Sequence, residues 1–255
     1  MKRVIGLVSE GPRDVDLITS VIENLFPDDQ FEYRYLQPDV TLMSDNYNGW
    51  KDVLRWCRKD YAAVCSSTEC LKYGMDLIIV QIDGDVSRKR DSKQSHCNCV
   101  NCDCPEREHY REGERYPFEE CTRRTTECPL PFPCTEHQEE KPNTYVVHLK
   151  EILNAYLGER RSIPVLLLIP CDSMDTWIVA AYEDLSAPYE LLEDPWDTIV
   201  ARGKEYHGIR IHGKKKSKAV FNELIKTVTA NWSSVTEKCS QAGRFQEELI
   251  TAFQR

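Results

Sequence analysis

The chain has 255 residues, of which 41% are hydrophobic, and a formal net charge of −9. A chain of this length and apolar content can bury a core, as one large domain or two smaller ones, which excludes disorder throughout. The negative charge argues against a surface covered with phosphate-binding residues, so any nucleic-acid surface has to be local.

The N-terminal part of the sequence predicts a soluble, cytoplasmic protein. Its first apolar run meets Glu10 at once and has no small-residue cleavage site, unlike a signal peptide. No apolar run approaches the ~20 residues that span a bilayer, so we expect no membrane association. The sequence has 12 cysteines, and since the cytosol keeps thiols reduced, metal binding is expected for them before disulfides.

The first elements along the chain form a βα pattern. Residues 3–9 predict a short buried strand, and apolar residues spaced i, i+3, i+4, i+7 predict a helix from about Arg13. A second amphipathic helix is predicted around residues 50–57. Residues 75–82 form a nearly continuous apolar run, typical of a strand buried on both faces of a parallel sheet. This run ends in Asp83-Gly84-Asp85.

The composition changes abruptly in residues 87–142, where only Val100 and Leu130 are aliphatic and seven cysteines occur. Afterwards the pattern resumes with a helix near 144–157, a strand at 163–169 and a helix near 174–182. We therefore expect three parts: residues 1–86, a cysteine-rich insertion at 87–142, and residues 143–255, with one sheet continuing across the insertion.

The last third begins with a basic segment and ends in helices near 219–232 and 244–253. Between Arg202 and Lys218 there are seven Lys or Arg residues and one acid, Glu205. Such runs are often solvated faces. A role in holding phosphate is the competing interpretation.

Acidic residues follow two of the predicted strands. Alternating strands and helices favour a mostly parallel sheet, whose carboxyl edge carries the active groups. Glu10 follows the first strand, and Asp83 and Asp85, two residues apart on an extended segment, are expected to face the same way. Three crowded carboxylates favour a hard divalent cation such as Mg²⁺. The competing interpretation is two ordinary turns and a helix start.

These motifs resemble a known family. The segments Glu10-Gly11-Pro12-Arg13-Asp14 and Ile82-Asp83-Gly84-Asp85 resemble the Toprim signature. Two later segments resemble an OLD-like Toprim family that is often encoded beside ABC-type ATPases in bacterial defence loci. They are Ile169-Pro170-Cys171-Asp172-Ser173-Met174-Asp175-Thr176-Trp177 and Cys239-Ser240-Gln241-Ala242-Gly243-Arg244-Phe245.

The resemblance implies an α/β, Toprim/Rossmann-like fold: a mostly parallel sheet with helices on both faces, interrupted by the insertion. It implies Glu10 as general base or metal ligand and Asp83 and Asp85 as ligands of Mg²⁺ or Mn²⁺, with Asp14 of the first motif as a further candidate ligand. Asp175 is a further candidate catalytic residue, and it stands where relatives have Glu, which shortens the reach of the carboxylate. Asp172 and Asp175 also fit the capped start of a helix, and both interpretations stay open.

The insertion is rich in soft metal ligands at short spacings, such as the pairs Cys99/Cys102 and Cys134/His137. Bound Zn²⁺ would supply the folding energy that this core-poor segment lacks. One or two sites are conceivable, and an iron–sulfur cluster is less expected from the spacing. The candidate zinc ligands are Cys97, Cys99, Cys102, Cys104, Cys121, Cys128, Cys134 and His137.

Taken together, the motifs predict a metal-dependent nuclease that cleaves DNA or RNA. In OLD-like nucleases a C-terminal lysine assists cleavage, and Lys216 or Lys218 is preferred here because both lie close to the following helix. The chain has no Walker-type loop, so an ATPase would be a partner subunit. A homo-oligomer is a further expectation. The alternatives are a non-catalytic nucleic-acid-binding or recombination-mediator protein and, less favoured, a phosphatase.

Overall fold

The computed structural model describes residues 2–37, 49–64, 74–87, 96–97, 116–117, 142–159, 161–186, 188–212 and 216–254. The strands are β1 (Lys2–Val8), β2 (Gln30–Gln37), β3 (Leu77–Gln81), β4 (His96–Cys97), β5 (Tyr116–Pro117), β6 (Val165–Leu168), β7 (Glu205–Tyr206) and β8 (Ile209–Arg210). The helices are α1 (Pro12–Leu25), α2 (Trp50–Arg55), α3 (Tyr61–Val64), α4 (Pro142–Leu157), α5 (Asp175–Tyr182), α6 (Pro195–Ala201), α7 (Lys218–Ala230), α8 (Trp232–Lys238) and α9 (Ser240–Phe253).

Four strands form one parallel sheet in the order β2-β1-β3-β6. Strand β3 precedes the cysteine-rich segment and β6 follows it, yet the two are neighbours, with Ile78 opposite Val165 and Gln81 opposite Leu168. The prediction that the sheet continues across the insertion is therefore confirmed.

The sheet is covered by helices on both faces. Because side chains alternate along a strand, Leu77 and Ile79 of β3 point into one core layer, and Ile78 and Val80 point into the other. The first layer packs against α1 and α5 to α9, and the second against α2 and α4. The expected α/β architecture, with a parallel sheet between helices, is confirmed at this level.

Some elements differ from the sequence prediction. Strand β2 was not predicted, although Phe31, Tyr33 and Tyr35 alternate along it as residues of a half-covered strand do. The basic segment contains the hairpin β7–β8, in which His207 and Gly208 both have positive φ angles of 47° and 84°. A π-helix at Trp56–Asp60 joins α2 to α3.

Between residues 88 and 141 the structure describes only the antiparallel pair β4–β5. Cys97 lies in β4, but its side chain is outside the described part. The other predicted zinc ligands lie outside the described residues: Cys99, Cys102, Cys104, Cys121, Cys128, Cys134 and His137. The zinc site stays a prediction. In the part of the chain that the structure describes, no helix has both the length and the apolarity to cross a membrane.

Candidate functional site

The first two acidic motifs meet at the carboxyl edge of the sheet. Glu10 lies two residues beyond β1 and Asp83 two residues beyond β3, and these strands are parallel neighbours. The backbone N–H of Asp83 donates a hydrogen bond to Glu10 Oε1 at 2.6 Å. The two motifs thus lie in direct contact, as the order of strands and acids predicts.

Gln81, the last residue of β3, connects the same two motifs through its side chain. It is fully buried, and its Oε1 accepts a hydrogen bond from the Glu10 backbone N–H at 3.1 Å. Its Nε2 donates to Asp83 Oδ1 at 2.8 Å. Sequence reasoning missed this residue, although a glutamine inside an otherwise apolar strand is a signal of a buried hydrogen-bonding role.

The Asp83-Gly84-Asp85 motif is not extended, contrary to the prediction. Gly84–Ser87 forms a 3₁₀ turn with Asp85 in it. A Cβ at Gly84 would lie 2.2 Å from the Pro170 carbonyl oxygen, so only glycine allows this turn to press against the loop after β6. The Asp85 N–H donates to the Asp172 carbonyl at 3.0 Å. The turn therefore joins the second motif to the loop that leads to Asp175.

Two further acids come from helix starts. Asp14 lies in the first turn of α1, where Pro12 is the first helical residue, and Asp175 is the first residue of α5 and only 3% exposed. Burial, and then the negative charge of Asp175, raise the pKa of Asp14 to about 7. Burial is also the main reason why the pKa of Asp175 is raised.

Asp83 lies at the centre of this group. Its pKa is raised well above the ordinary range, first by burial and then by the charges of Glu10, Asp14, Asp85 and Asp175. These five carboxylates, which we name the carboxyl-edge cluster, repel one another. Such a group gains stability by taking up a proton or a cation.

Lys216 supplies a positive charge to this cluster. Its Nζ donates to Asp175 Oδ2 and lies 5.2 Å from the ring centre of Trp196. Burial lowers the pKa of Lys216, but Asp175, Asp14 and Asp83 outweigh it and raise the pKa overall, so the side chain stays charged. Its side chain is 37% exposed.

The other lysines of the basic segment are placed differently or are not described. Lys218 is exposed on the first turn of α7. Lys214 and Lys215 lie outside the described residues. Of the two lysines that the sequence preferred, the structure brings Lys216 to the cluster.

The two later segments of the resemblance have different roles in the structure. Asp175 belongs to the cluster and is also the first residue of α5. The capped start predicted from Asp172 and Asp175 is wrong, because Met174 is the residue before the helix and no side chain caps it. In the other segment, Glu190 Oε1 accepts hydrogen bonds from the backbone N–H and hydroxyl of Ser240 at 2.6 and 2.5 Å. Phe245 is buried in the core. This second segment anchors α9.

The chemistry of the cluster fits a hard divalent cation, since its donors are carboxylate oxygens that repel one another and Lys216 offsets only part of this repulsion. Among the described residues, no three His, Cys, Asp or Glu side chains form a group that could hold a metal ion by themselves. Mg²⁺ does not need such a group, because it commonly binds one or two carboxylates and completes its shell with water and substrate phosphate. Asp83, with Glu10, Asp85 or Asp14 as its neighbour, would supply these one or two carboxylates.

No family model matches the chain, and neither a curated protein nor a solved structure gives a significant match.

Proposed function

We propose that the protein is a Mg²⁺- or Mn²⁺-dependent nuclease of the Toprim, OLD-like type. The observation that carries the proposal is the carboxyl-edge cluster: five carboxylates from two strand ends and two helix starts, with Lys216 beside them. Parallel α/β sheets place their chemistry at this edge.

Each part of the cluster has a role in this chemistry. Asp83 and Asp85 would hold the cation, with Glu10 as a further ligand or as general base for the attacking water. A bound divalent ion neutralises phosphate charge and lowers the pKa of water. Lys216 is protonated, partly exposed and held at the cluster by Asp175, so its ammonium group can bind a phosphate oxygen.

A non-catalytic nucleic-acid-binding protein is the alternative that the cluster disfavours. Five carboxylates at one edge repel a polyanion, so they would weaken nucleic-acid binding at a surface that serves only for binding. A divalent cation reverses this repulsion, which is why the metal-dependent reaction accounts for the cluster better.

The wider context of the proposal comes from the resemblance. We propose that the protein is the cytoplasmic effector of a bacterial anti-phage system, restrained by an ABC- or AAA-type ATPase subunit. DNA and RNA are both candidate substrates.

The proposal is tested by incubating the purified protein, alone and with its natural partner, with plasmid DNA, tRNA and rRNA in Mg²⁺ or Mn²⁺. We expect cleavage that falls by orders of magnitude in Asp83→Asn, which keeps the shape of the side chain and removes its charge. Asp28→Asn is the matched control, because Asp28 is exposed at the opposite edge of the sheet, before β2. Asp83→Asn protein that cuts as fast as the parent would contradict the proposal.

A further inference from the structure

Gln81 is a polar residue in a place where burial is costly. It ends a strand whose five residues are all buried, and its own exposed fraction is 0%. A buried amide destabilises a fold unless its donors and acceptor find partners. The partners of the Gln81 amide are Glu10 and Asp83. Both of these hydrogen bonds are therefore made with residues of the carboxyl-edge cluster.

The partners fix the orientation of the amide. The backbone N–H of Glu10 can only donate, so the group that faces it must be the Gln81 oxygen. The Gln81 nitrogen then faces Asp83, whose carboxylate accepts the hydrogen bond. A flipped amide would place donor against donor and oxygen against carboxylate.

Together the three residues close a ring of hydrogen bonds. Glu10 N–H donates to Gln81, Gln81 donates to Asp83, and Asp83 N–H donates back to Glu10 Oε1. The ring joins the ends of β1 and β3 beyond their last ladder pair, Val8 and Val80. The carboxylates of Glu10 and Asp83 are thereby held relative to each other.

We propose that Gln81 is a positioning residue that sets how Asp83 meets the cation. By occupying Asp83 Oδ1, it leaves Oδ2 as the oxygen for a metal ion, so that Asp83 binds through one oxygen. The proposal rests on the proposed metal site. Residues that hold a metal ligand in this way commonly change metal affinity about 10- to 100-fold when they are replaced.

The test measures Mn²⁺ affinity by titration calorimetry, without any nucleic acid. Gln81→Met keeps the size of the side chain and removes both hydrogen bonds, and we expect Mn²⁺ to bind about 10- to 100-fold more weakly. Gln241→Met is the matched control: Gln241, in α9, is also buried, but its Nε2 donates to the hydroxyl of Ser240 at 3.5 Å. It is expected to keep the affinity of the parent.

A double-mutant cycle separates positioning from a general loosening of the fold. If Gln81 acts through Asp83, most of the penalty of Gln81→Met disappears in the Asp83→Asn background. An equal penalty in both backgrounds would overturn the proposal, as would a folded Gln81→Met protein with the affinity of the parent. A parent that binds no Mn²⁺ would instead refute the metal site itself.

Gln81→Asn provides a second variant if Gln81→Met does not fold. It keeps an amide but is one methylene too short to reach both partners, so we expect the same weakening of Mn²⁺ binding. Unchanged affinity in folded Gln81→Asn protein would also overturn the proposal.

Discussion

Lys216 is the residue that balances part of the charge of the carboxyl-edge cluster. It lowers the pKa of both Asp14 and Asp175, against the burial that raises them. The carboxylate of Asp83 is still disfavoured by burial and by four neighbouring carboxylates, and a divalent cation would offset this repulsion. Lys216 therefore offsets part of the repulsion within the cluster, and the remaining repulsion still favours a divalent cation.

Replacing this lysine should destabilise the protein. In Lys216→Ala, the nearly buried Asp175 carboxylate loses its partner, and we expect the free energy of unfolding at pH 8 to fall by about 1–3 kcal/mol. The loss stays below that of a fully buried pair because Lys216 is 37% exposed. Lys218→Ala, on the exposed first turn of α7, should change it by less than about 0.5 kcal/mol. Urea denaturation of both variants measures these changes. Equal losses in the free energy of unfolding would contradict the stabilising role of Lys216.

At the scale of elements, the site depends on how closely three loops approach. The turn after β3 presses against the loop after β6, and Gly84 is the residue that permits this contact. The N–H of Gly49, just before α2, also donates to the Glu10 carbonyl at 2.8 Å. Each acidic motif is thus held by backbone contacts from a neighbouring element.

Gly84→Ala tests this arrangement. Its Cβ would overlap the backbone of Pro170 and Cys171, so the turn must move, and we expect the free energy of unfolding to fall by about 1–3 kcal/mol together with a loss of cleavage. Gly11→Ala is the control within the same site. A Cβ at Gly11 would meet only Asp14 Oδ2 at 3.4 Å, and its φ of −156° suits any residue. Thermal melts and cleavage assays compare the two variants. Equal stability and equal cleavage would show that the close approach at Gly84 is not needed for the fold or the site.

The parts of the site that the sequence predicted are those that depend on local pattern. Glu10 and Asp83 follow strongly apolar runs, and the rule that parallel strands end at one edge was enough to pair them. The 3₁₀ turn at Asp85 was missed because it arises from packing against Pro170, which is distant in sequence. The choice of Lys216 over Lys218 likewise needed the fold, because its partner Asp175 is 41 residues away.

On the scale of the whole molecule, the sheet does not depend on the insertion for its continuity. Strands β3 and β6 pair directly although residues 87–142 lie between them. The residues before and after this segment also share a core layer, which contains Val80 and Leu149. We therefore expect the sheet and its core to fold without a contribution from the cysteine-rich segment.

That segment is predicted to fold around zinc, since it has two aliphatic residues and seven cysteines. Elemental analysis of protein purified without chelator should find about one or two zinc ions per chain. Chelation should then make the segment sensitive to protease while the sheet stays folded. Metal-free protein whose segment is equally protected would refute the zinc prediction.

We expect the carboxyl-edge cluster to bind a divalent cation, and the position of Mn²⁺ in crystals soaked at saturating concentration tests this binding independently of activity. An anomalous diffraction peak is expected within about 2.5 Å of Asp83 Oδ2 and of at least one other carboxylate of the cluster. Mn²⁺ bound only elsewhere, with the cluster empty at saturation, would contradict it.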